Sequence, residues 1–187
     1  MSARLFYFFV SVNLFFPLSS FAVPFESQNF VISAPSPWAI RAAEDIYRKG
    51  GNVVDMAVAS SLTLAVTSPY FAALGGGGFA LIKMKSKIEA LDFREVAPAS
   101  TGPDYYIKKE KGASENGGTA VGIPGLPAGL WEMHKKHGRL KWQQLFDTAL
   151  TLATKGFPLS GEWIRYTRYA EEHFTASGKT FFVRTKK

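Results

Sequence analysis

The chain has 187 residues, the length of one domain or of one domain with a short extension. Hydrophobic residues make up 47% of it, charged residues only 20%, and the formal net charge is +7, so a disordered or collagen-like chain is excluded. Cysteine is absent, which excludes disulfide bonds, cysteine-ligated metal sites and a cysteine nucleophile.

Residues 1–22 are predicted to be a secretory signal peptide. Arg4 supplies the positive charge, residues 5–18 form the apolar stretch, and Ser20 and Ala22 are the small residues of a cleavage site. The apolar stretch is shorter than the roughly 20 residues of a spanning helix, which disfavours a membrane anchor. We expect export, to the periplasm in a bacterium and otherwise to the extracellular space, and no stable membrane span.

Two helices are predicted next. Apolar residues at helical spacing between Pro37 and Gly50 predict an amphipathic helix. Asn52, with Asp55 three residues later, is typical of a helix N-terminus and predicts a second helix over 53–66. The second helix is apolar nearly all round, so we expect it to be buried on several sides.

A run of four glycines at 75–78 precedes two predicted strands, over 79–84 and 88–93. Strands joined by so short a turn form an antiparallel pair, which argues against a doubly wound βαβ sheet. Because two strands do not make a stable sheet alone, we expect the rest of the sheet to lie outside this chain.

The second half of the chain is predicted to be mainly helical. A polar loop at 111–118 is followed by helices over 127–138 and 142–153, and Ser160 can cap a last helix. No internal repeat or linker divides the chain, so residues 23–187 are expected to form a single domain.

The end of the chain is basic, because four lysine or arginine residues and no acidic residue follow Glu172. Such a tail can attract nucleic acid or an anionic surface. Since the signal peptide directs the chain to export, we interpret the tail as a solvated terminus and expect no nucleic-acid partner.

Two further patterns are typical of common sites. Residues 112–119 have the glycine spacing of a phosphate-binding loop, but Gly118 stands where the loop needs its lysine. His134 and His137 lie three residues apart on a predicted helix, but two lysines separate them, so we interpret the pair as part of a solvated face. We expect no metal and no cofactor, and the Gly-x-Ser-x-Gly motif of many serine hydrolases is missing.

The end of the second predicted strand carries the candidate binding residue, Arg94. A planar guanidinium held at a strand end suits two parallel hydrogen bonds to a carboxylate. The residues alone favour a structural ion pair of Arg94 with Asp92 or Glu95 over ligand binding.

Several separated motifs resemble the N-terminal part of the γ-glutamyltranspeptidases. In chain order they are residues 50–59 (GGNVVDMAVA), 74–79 (LGGGGF), 92–98 (DFREVAP), 122–125 (GIPG) and 156–160 (GFPLS). Their order and separations also fit, and the resemblance covers roughly residues 34–180.

This resemblance implies an α+β fold, the N-terminal part of the αββα sandwich of N-terminal-nucleophile hydrolases. It implies cleavage of γ-glutamyl amides such as glutathione and transfer of the γ-glutamyl group to water, amino acids or peptides. The family's nucleophile is a threonine at the start of the small subunit, whose own amine can act as base. Motif matching implies that Arg94 binds the α-carboxylate of the substrate and that Asp92 and Glu95 support Arg94. The glycine run is expected to let the backbone approach its neighbours closely.

The sequence departs from the family in extent. No threonine present matches the nucleophile's motif, and by the resemblance Lys187 would lie inside the large subunit. We therefore expect a partial large-subunit domain over 23–187 that is inactive alone and needs the small subunit of the same precursor. The alternative is a secreted, non-catalytic binding protein derived from a truncated family member.

Overall fold

The computed structural model describes residues 26–182, with side chains up to Thr180. The predicted signal peptide and residues 183–187 of the basic tail lie outside the described residues. Residues 26–31 are a separate segment without helix or strand, and all elements below belong to the unit that begins at Ile32. Among residues 26–182, no helix is long and apolar enough to cross a lipid bilayer.

Residues 32–182 form a mixed architecture of α-helices and one antiparallel strand pair, which confirms the expected α+β class. In chain order the elements are α1 (Pro37–Arg48), α2 (Val53–Thr67), α3 (Pro69–Ala72), β1 (Phe79–Met84), β2 (Lys87–Asp92), α4 (Leu126–His137), α5 (Asp147–Lys155), α6 (Gly161–Ala170) and α7 (Ala176–Phe182). Short 3₁₀ turns lie at Gly118–Ala120, Trp142–Phe146 and Glu171–His173.

Three segments differ from the sequence prediction. The single helix predicted over 142–153 is a 3₁₀ turn followed by α5, because the Gln144 side chain accepts a hydrogen bond from the Lys141 N–H at 3.0 Å and closes a separate turn. The short helix α3 follows α2 directly, since Pro69 lacks the N–H that would continue α2. Helix α7 was not predicted, although Thr175 Oγ1 accepts from Gly178 N at 3.1 Å, a capping contact typical of a helix start.

Helix α2 is the centre of the hydrophobic core, as its all-round apolar sequence predicts. It packs against α1, α4 and α5. The core residues are Ala39, Ala42, Ala43 and Ile46 of α1, Val54, Met56, Val58, Ala59 and Leu62 of α2, Leu130 and Met133 of α4, and Leu145, Ala149 and Leu152 around α5. Three alanines on the buried face of α1 allow it to approach α2 closely, and the Ser60 hydroxyl donates to the Ala39 carbonyl at 2.9 Å.

The predicted start of α2 is confirmed as a capping box. Asn52 Oδ1 accepts hydrogen bonds from the N–H groups of Val54 and Asp55 at 2.9 and 3.1 Å, and Asp55 Oδ2 accepts from Asn52 N at 2.9 Å. These contacts satisfy N–H groups that a helix N-terminus leaves without partners.

Asp55 also binds the chain that follows α4. Its side chain is fully buried, and its carboxylate accepts from Arg139 N at 3.0 Å and from Leu140 N at 3.3 Å. Asn52 completes the junction by donating to the His137 carbonyl at 2.6 Å. One buried carboxylate therefore fixes both the beginning of α2 and the end of α4.

The strands β1 and β2 pair in an antiparallel register from Phe79 opposite Asp92 to Met84 opposite Lys87. Lys85 in the two-residue turn has a positive φ of 56°. One face of the pair carries the buried Ile82, and β1 lines a groove of about 390 Å³ with α2 and α4.

The opposite face of the pair is open. Its six residues are Phe79, Leu81, Lys83, Ile88, Ala90 and Asp92, all exposed. We call this surface the open sheet face. Leu81 is 77% exposed, and an apolar surface of this kind on a folded chain is typical of an interaction site.

We expect the substitution Asp55→Ala to lower the free energy of unfolding by about 3 kcal/mol or more, because hydrogen bonds to a buried charge are strong and three N–H groups lose their partner. The matched control is Asp147→Ala, which breaks the exposed ion pair of Asp147 with Lys49 at 2.7 Å. Such surface pairs are worth at most about 1 kcal/mol. Urea denaturation of both variants measures the difference; equal effects would show that Asp55 is not the junction described.

Candidate functional site

Phe93 lies where β2 leaves the sheet and is enclosed by glycines. Its backbone exchanges two hydrogen bonds with Gly78, at 3.0 and 3.3 Å, which extends the strand pairing by one residue. A Cβ added to Gly129 of α4 would overlap the Phe93 ring, and one added to Gly125 would overlap its carbonyl oxygen. The close packing expected of the glycine run is confirmed for Gly77, where an added Cβ would lie 2.6 Å from the Phe93 carbonyl oxygen.

The residues after Phe93 are fixed in the same way. The Glu95 side chain lies between Gly77 and Gly122, at both of which an added Cβ would crowd it. Val96 and Ile123 then form an isolated antiparallel bridge, with N–H···O distances of 2.8 and 3.3 Å. The backbone is therefore held on both sides of Arg94.

A further pair of hydrogen bonds joins the glycine run to the start of α4. The Gly76 carbonyl accepts from Gly125 N at 3.0 Å and from Leu126 N at 2.9 Å. Three sequence-separated segments, the glycine run, the end of β2 and the start of α4, thus meet at one point.

Arg94 itself is mostly exposed. Its guanidinium lies 6.0 Å from the centre of the Phe79 ring, at the edge of the open sheet face, and 61% of its side chain is accessible to solvent. Asp92 Oδ1 accepts from the backbone N–H of Arg94 at 3.0 Å, while Glu95 Oε1 lies 3.4 Å from both Nε and Nη2 of Arg94.

The three predicted site residues are therefore brought together, with distinct positions. Asp92 fixes the Arg94 backbone, and Glu95 meets its side chain. The structural ion pair favoured by the residues alone is present with Glu95, but 3.4 Å is long beside the 2.7–2.9 Å of strong charged hydrogen bonds. An exposed guanidinium with so loose a partner can bind a carboxylate through its remaining donors.

The interpretation of His134 as a solvated residue is wrong. Only 11% of its side chain is exposed, Nε2 lies 2.8 Å from the Leu140 carbonyl oxygen, and the same atom is 3.7 Å from Asp55 Oδ1. The ring belongs to the Asp55 junction and packs against Trp131 and Trp142.

His137 is also not simply solvated. Its Nε2 lies 2.9 Å from Glu89 Oε2 of β2, and Lys136 Nζ donates to Glu89 Oε1 at 2.8 Å. The hydrogen bonds from Lys136 and His137 hold the pKa of Glu89 below its ordinary value, and the contact with Glu89 raises the pKa of Lys136. The cluster ties β2 to the end of α4. Within residues 26–182, no three His, Asp or Glu side chains are grouped to hold a metal ion.

The sequence and the fold match one family in three comparisons with known proteins. The family model of γ-glutamyltranspeptidase matches residues 39–187. The glutathione hydrolase proenzyme of Pseudomonas aeruginosa is 40% identical over 155 residues, which cover 81% of this chain and 28% of that protein. Glutathione hydrolase 3 of Arabidopsis thaliana is 40% identical over 134 residues, or 71% of this chain and 21% of that protein.

Solved structures show the same relationship. A γ-glutamyltranspeptidase from Pseudomonas nitroreducens complexed with L-DON aligns with a TM-score of 0.80 and 34% identity over 86% of this chain and 50% of that one. The Helicobacter pylori γ-glutamyltranspeptidase aligns with a TM-score of 0.82 and 34% identity over 87% of this chain and 49% of that one.

The sequence and the fold are those of a γ-glutamyltranspeptidase-type chain, and the resemblance found in the sequence is confirmed. The protein belongs to the γ-glutamyltranspeptidase family. It spans 28% of the length of the Pseudomonas aeruginosa relative and 21% of the Arabidopsis one.

Sequence reasoning missed the part that Phe93 plays in placing Arg94. The signal was present, since Gly122, Gly125 and Gly129 recur at short spacing around the start of α4. Such glycines indicate close backbone approach, but a single sequence does not say which residue makes the approach.

We expect Gly129→Ala to destabilise the protein by about 1–3 kcal/mol, because the added methyl group overpacks against the Phe93 ring. Alanine is the better helix former by about 1 kcal/mol, so the substitution would be stabilising if packing were neutral. Gly161 at the start of α6 is the matched control, since an added Cβ there meets nothing within 4 Å. Thermal melting of both variants tests this, and a stabilised Gly129→Ala would contradict the packing of Phe93.

Proposed function

We propose that this chain provides the carboxylate-binding arginine of a γ-glutamyltransferase or glutathione hydrolase. The observation that carries the proposal is the exposed guanidinium of Arg94, held at a strand end by a segment packed against glycines. Family membership adds the chemistry of the substrate, because the relatives named above are glutathione hydrolases.

The proposed chemistry begins with recognition of the γ-glutamyl group. Its α-carboxylate lies several bonds from the γ-carbonyl carbon, so a guanidinium that fixes the carboxylate also orients the reacting bond. A bidentate contact restricts rotation of the substrate as well as its position. Asp92 maintains the Arg94 backbone, and Glu95 yields its loose contact when the substrate carboxylate binds.

The bond-breaking group is proposed to come from outside residues 26–182. A threonine at the new N-terminus of a small subunit from the same precursor attacks the γ-carbonyl carbon while its own amine takes the hydroxyl proton. The C–N bond of the γ-glutamyl amide then breaks, and the leaving amine departs with that proton. Water or an acceptor amine then takes the γ-glutamyl group from the threonine. By itself the 187-residue chain is proposed to be inactive.

We propose that this complement binds the open sheet face. The exposed Phe79 ring lies beside Arg94, and the exposed Leu81 is on the same face, so an element that covers this face brings its own residues to the guanidinium. Covering it with a second sheet would give the αββα sandwich, of which the described residues are one part. This supports a subunit that completes both the core and the site.

We expect Arg94→Ala to lower kcat/KM for a γ-glutamyl anilide by about 10- to 100-fold, since each charged hydrogen bond contributes about 1.5–3 kcal/mol. The enzyme to test is a chimera in which residues 32–182 replace the matching segment of the Pseudomonas aeruginosa relative. Arg94→Lys keeps the charge but loses the planar fork, so it restores only part of the activity. A raised KM alone indicates ground-state binding, and a lower kcat indicates alignment of the γ-carbonyl.

The control variant is Arg48→Lys, at the exposed last turn of α1, and the isolated 187-residue chain is the blank. Unchanged kinetics in Arg94→Ala and Arg94→Lys, with a lowered melting temperature, would show that Arg94 only braces Glu95. That result would remove Arg94 from the site.

We also propose that the protein is exported and that residues 1–22 are removed, leaving Val23 as the N-terminus. Intact-mass and N-terminal peptide analysis of the protein from the culture medium or periplasm tests this. The unprocessed residue Met1 on a membrane-associated product would contradict it.

A further inference from the structure

A cavity of about 310 Å³ lies where the beginnings of three helices meet. The residues that precede α1, α3 and α6, namely Ser36, Ser68 and Ser160, all line it. Its volume is at the lower end of that of small-molecule pockets. None of its lining residues belongs to the segment around Arg94, so it is a separate site.

The charges around the cavity favour an anion. The N-terminus of a helix carries a partial positive charge, and α1 and α6 have 12 and 10 residues. Arg41 adds a full positive charge and is the only charged residue among those that line the cavity.

Two polar groups at the cavity are left without partners inside the described part of the chain. Ser68 is only 3% exposed, yet its hydroxyl makes no hydrogen bond there, whereas the buried Ser36 hydroxyl pairs with Thr67 Oγ1 at 3.1 Å. At the start of α1, Ala39 and Ile40 donate to the Ser36 carbonyl, which leaves the Trp38 N–H free. Both groups lie at the cavity lining, so each can donate a hydrogen bond to an oxyanion bound there.

The remaining walls are flat and aromatic. Trp38, Tyr70 and Phe157 line the cavity, and Arg41 lies 5.1 Å over the Trp38 ring. Tyr70 stacks on a tyrosine of α6 with ring centres 4.7 Å apart, and Phe157 packs edge-on against Trp163 at 5.7 Å. These contacts hold the walls in place before any ligand binds.

We propose that this cavity binds a small carboxylate that has a flat apolar body. The carboxylate accepts hydrogen bonds from Arg41, the Ser68 hydroxyl and the Trp38 N–H. The apolar body lies against Tyr70 and Phe157. The proposal does not depend on the function proposed for Arg94.

Isothermal titration calorimetry of the 187-residue chain with benzoate tests it, with benzamide as the neutral ligand of the same shape and inorganic phosphate as the oxyanion without a ring. Benzoate is expected to bind at least tenfold more tightly than either. Arg41→Gln should weaken benzoate binding about tenfold or more, since a charged hydrogen bond is lost. Arg48→Gln, on the same helix but outside the cavity, should leave it unchanged.

Ser68→Ala separates a ligand-binding role from a structural one. Because the hydroxyl has no partner in the free protein, its removal should leave the melting temperature unchanged or raise it, while benzoate binding weakens several-fold. Equal binding of benzoate and benzamide, full affinity in Arg41→Gln, phosphate binding as tight as benzoate, or no heat of binding at millimolar benzoate would each overturn the proposal. All of these measurements are made without turnover, so failure here leaves the Arg94 proposal standing, and the reverse also holds.

Discussion

The buried carboxylate of Asp55 is the contact on which the rest of the structure depends. It closes the first turn of α2 and at the same time holds the backbone at Arg139 and Leu140 after α4. A buried charge is tolerated only when its hydrogen bonds are made, so the two helices have one stable relative position. Because α4 carries Gly129, that position also decides where the Phe93 ring fits and hence where Arg94 emerges.

Much of this fold could be predicted from local sequence signals. Caps, glycines after helix ends and apolar periodicity each act over a few residues, so the positions of α1, α2, α4 and the strand pair followed from them. The two short helices α3 and α7 were missed because one or two turns carry too little periodicity to be recognised. For the same reason, the 3₁₀ turn at Trp142–Phe146 and α5 were predicted as a single helix.

The site was predicted only in part, because its determinants lie far apart in the chain. Arg94, Asp92 and Glu95 were found through a motif, whereas the glycines that seat Phe93 come from segments on either side of it. The error on the histidines has the same origin. Their neighbours in sequence are lysines, but the carboxylate beside His137 is that of Glu89, 48 positions away. Local composition predicts that this helix face is solvated, because it does not show that a strand distant in the sequence packs against it.

The strand pair presents two unpaired edges and an apolar face, which are features that invite strand-to-strand association between copies. Its turn end is different, because Lys83, Lys85 and Lys87 are all exposed there. Two copies that align their hairpins side by side, turn against turn, must bring these like charges together. Repulsion between these lysines disfavours that arrangement of two copies, whereas a surface that carries negative charge opposite the turn would meet no such repulsion.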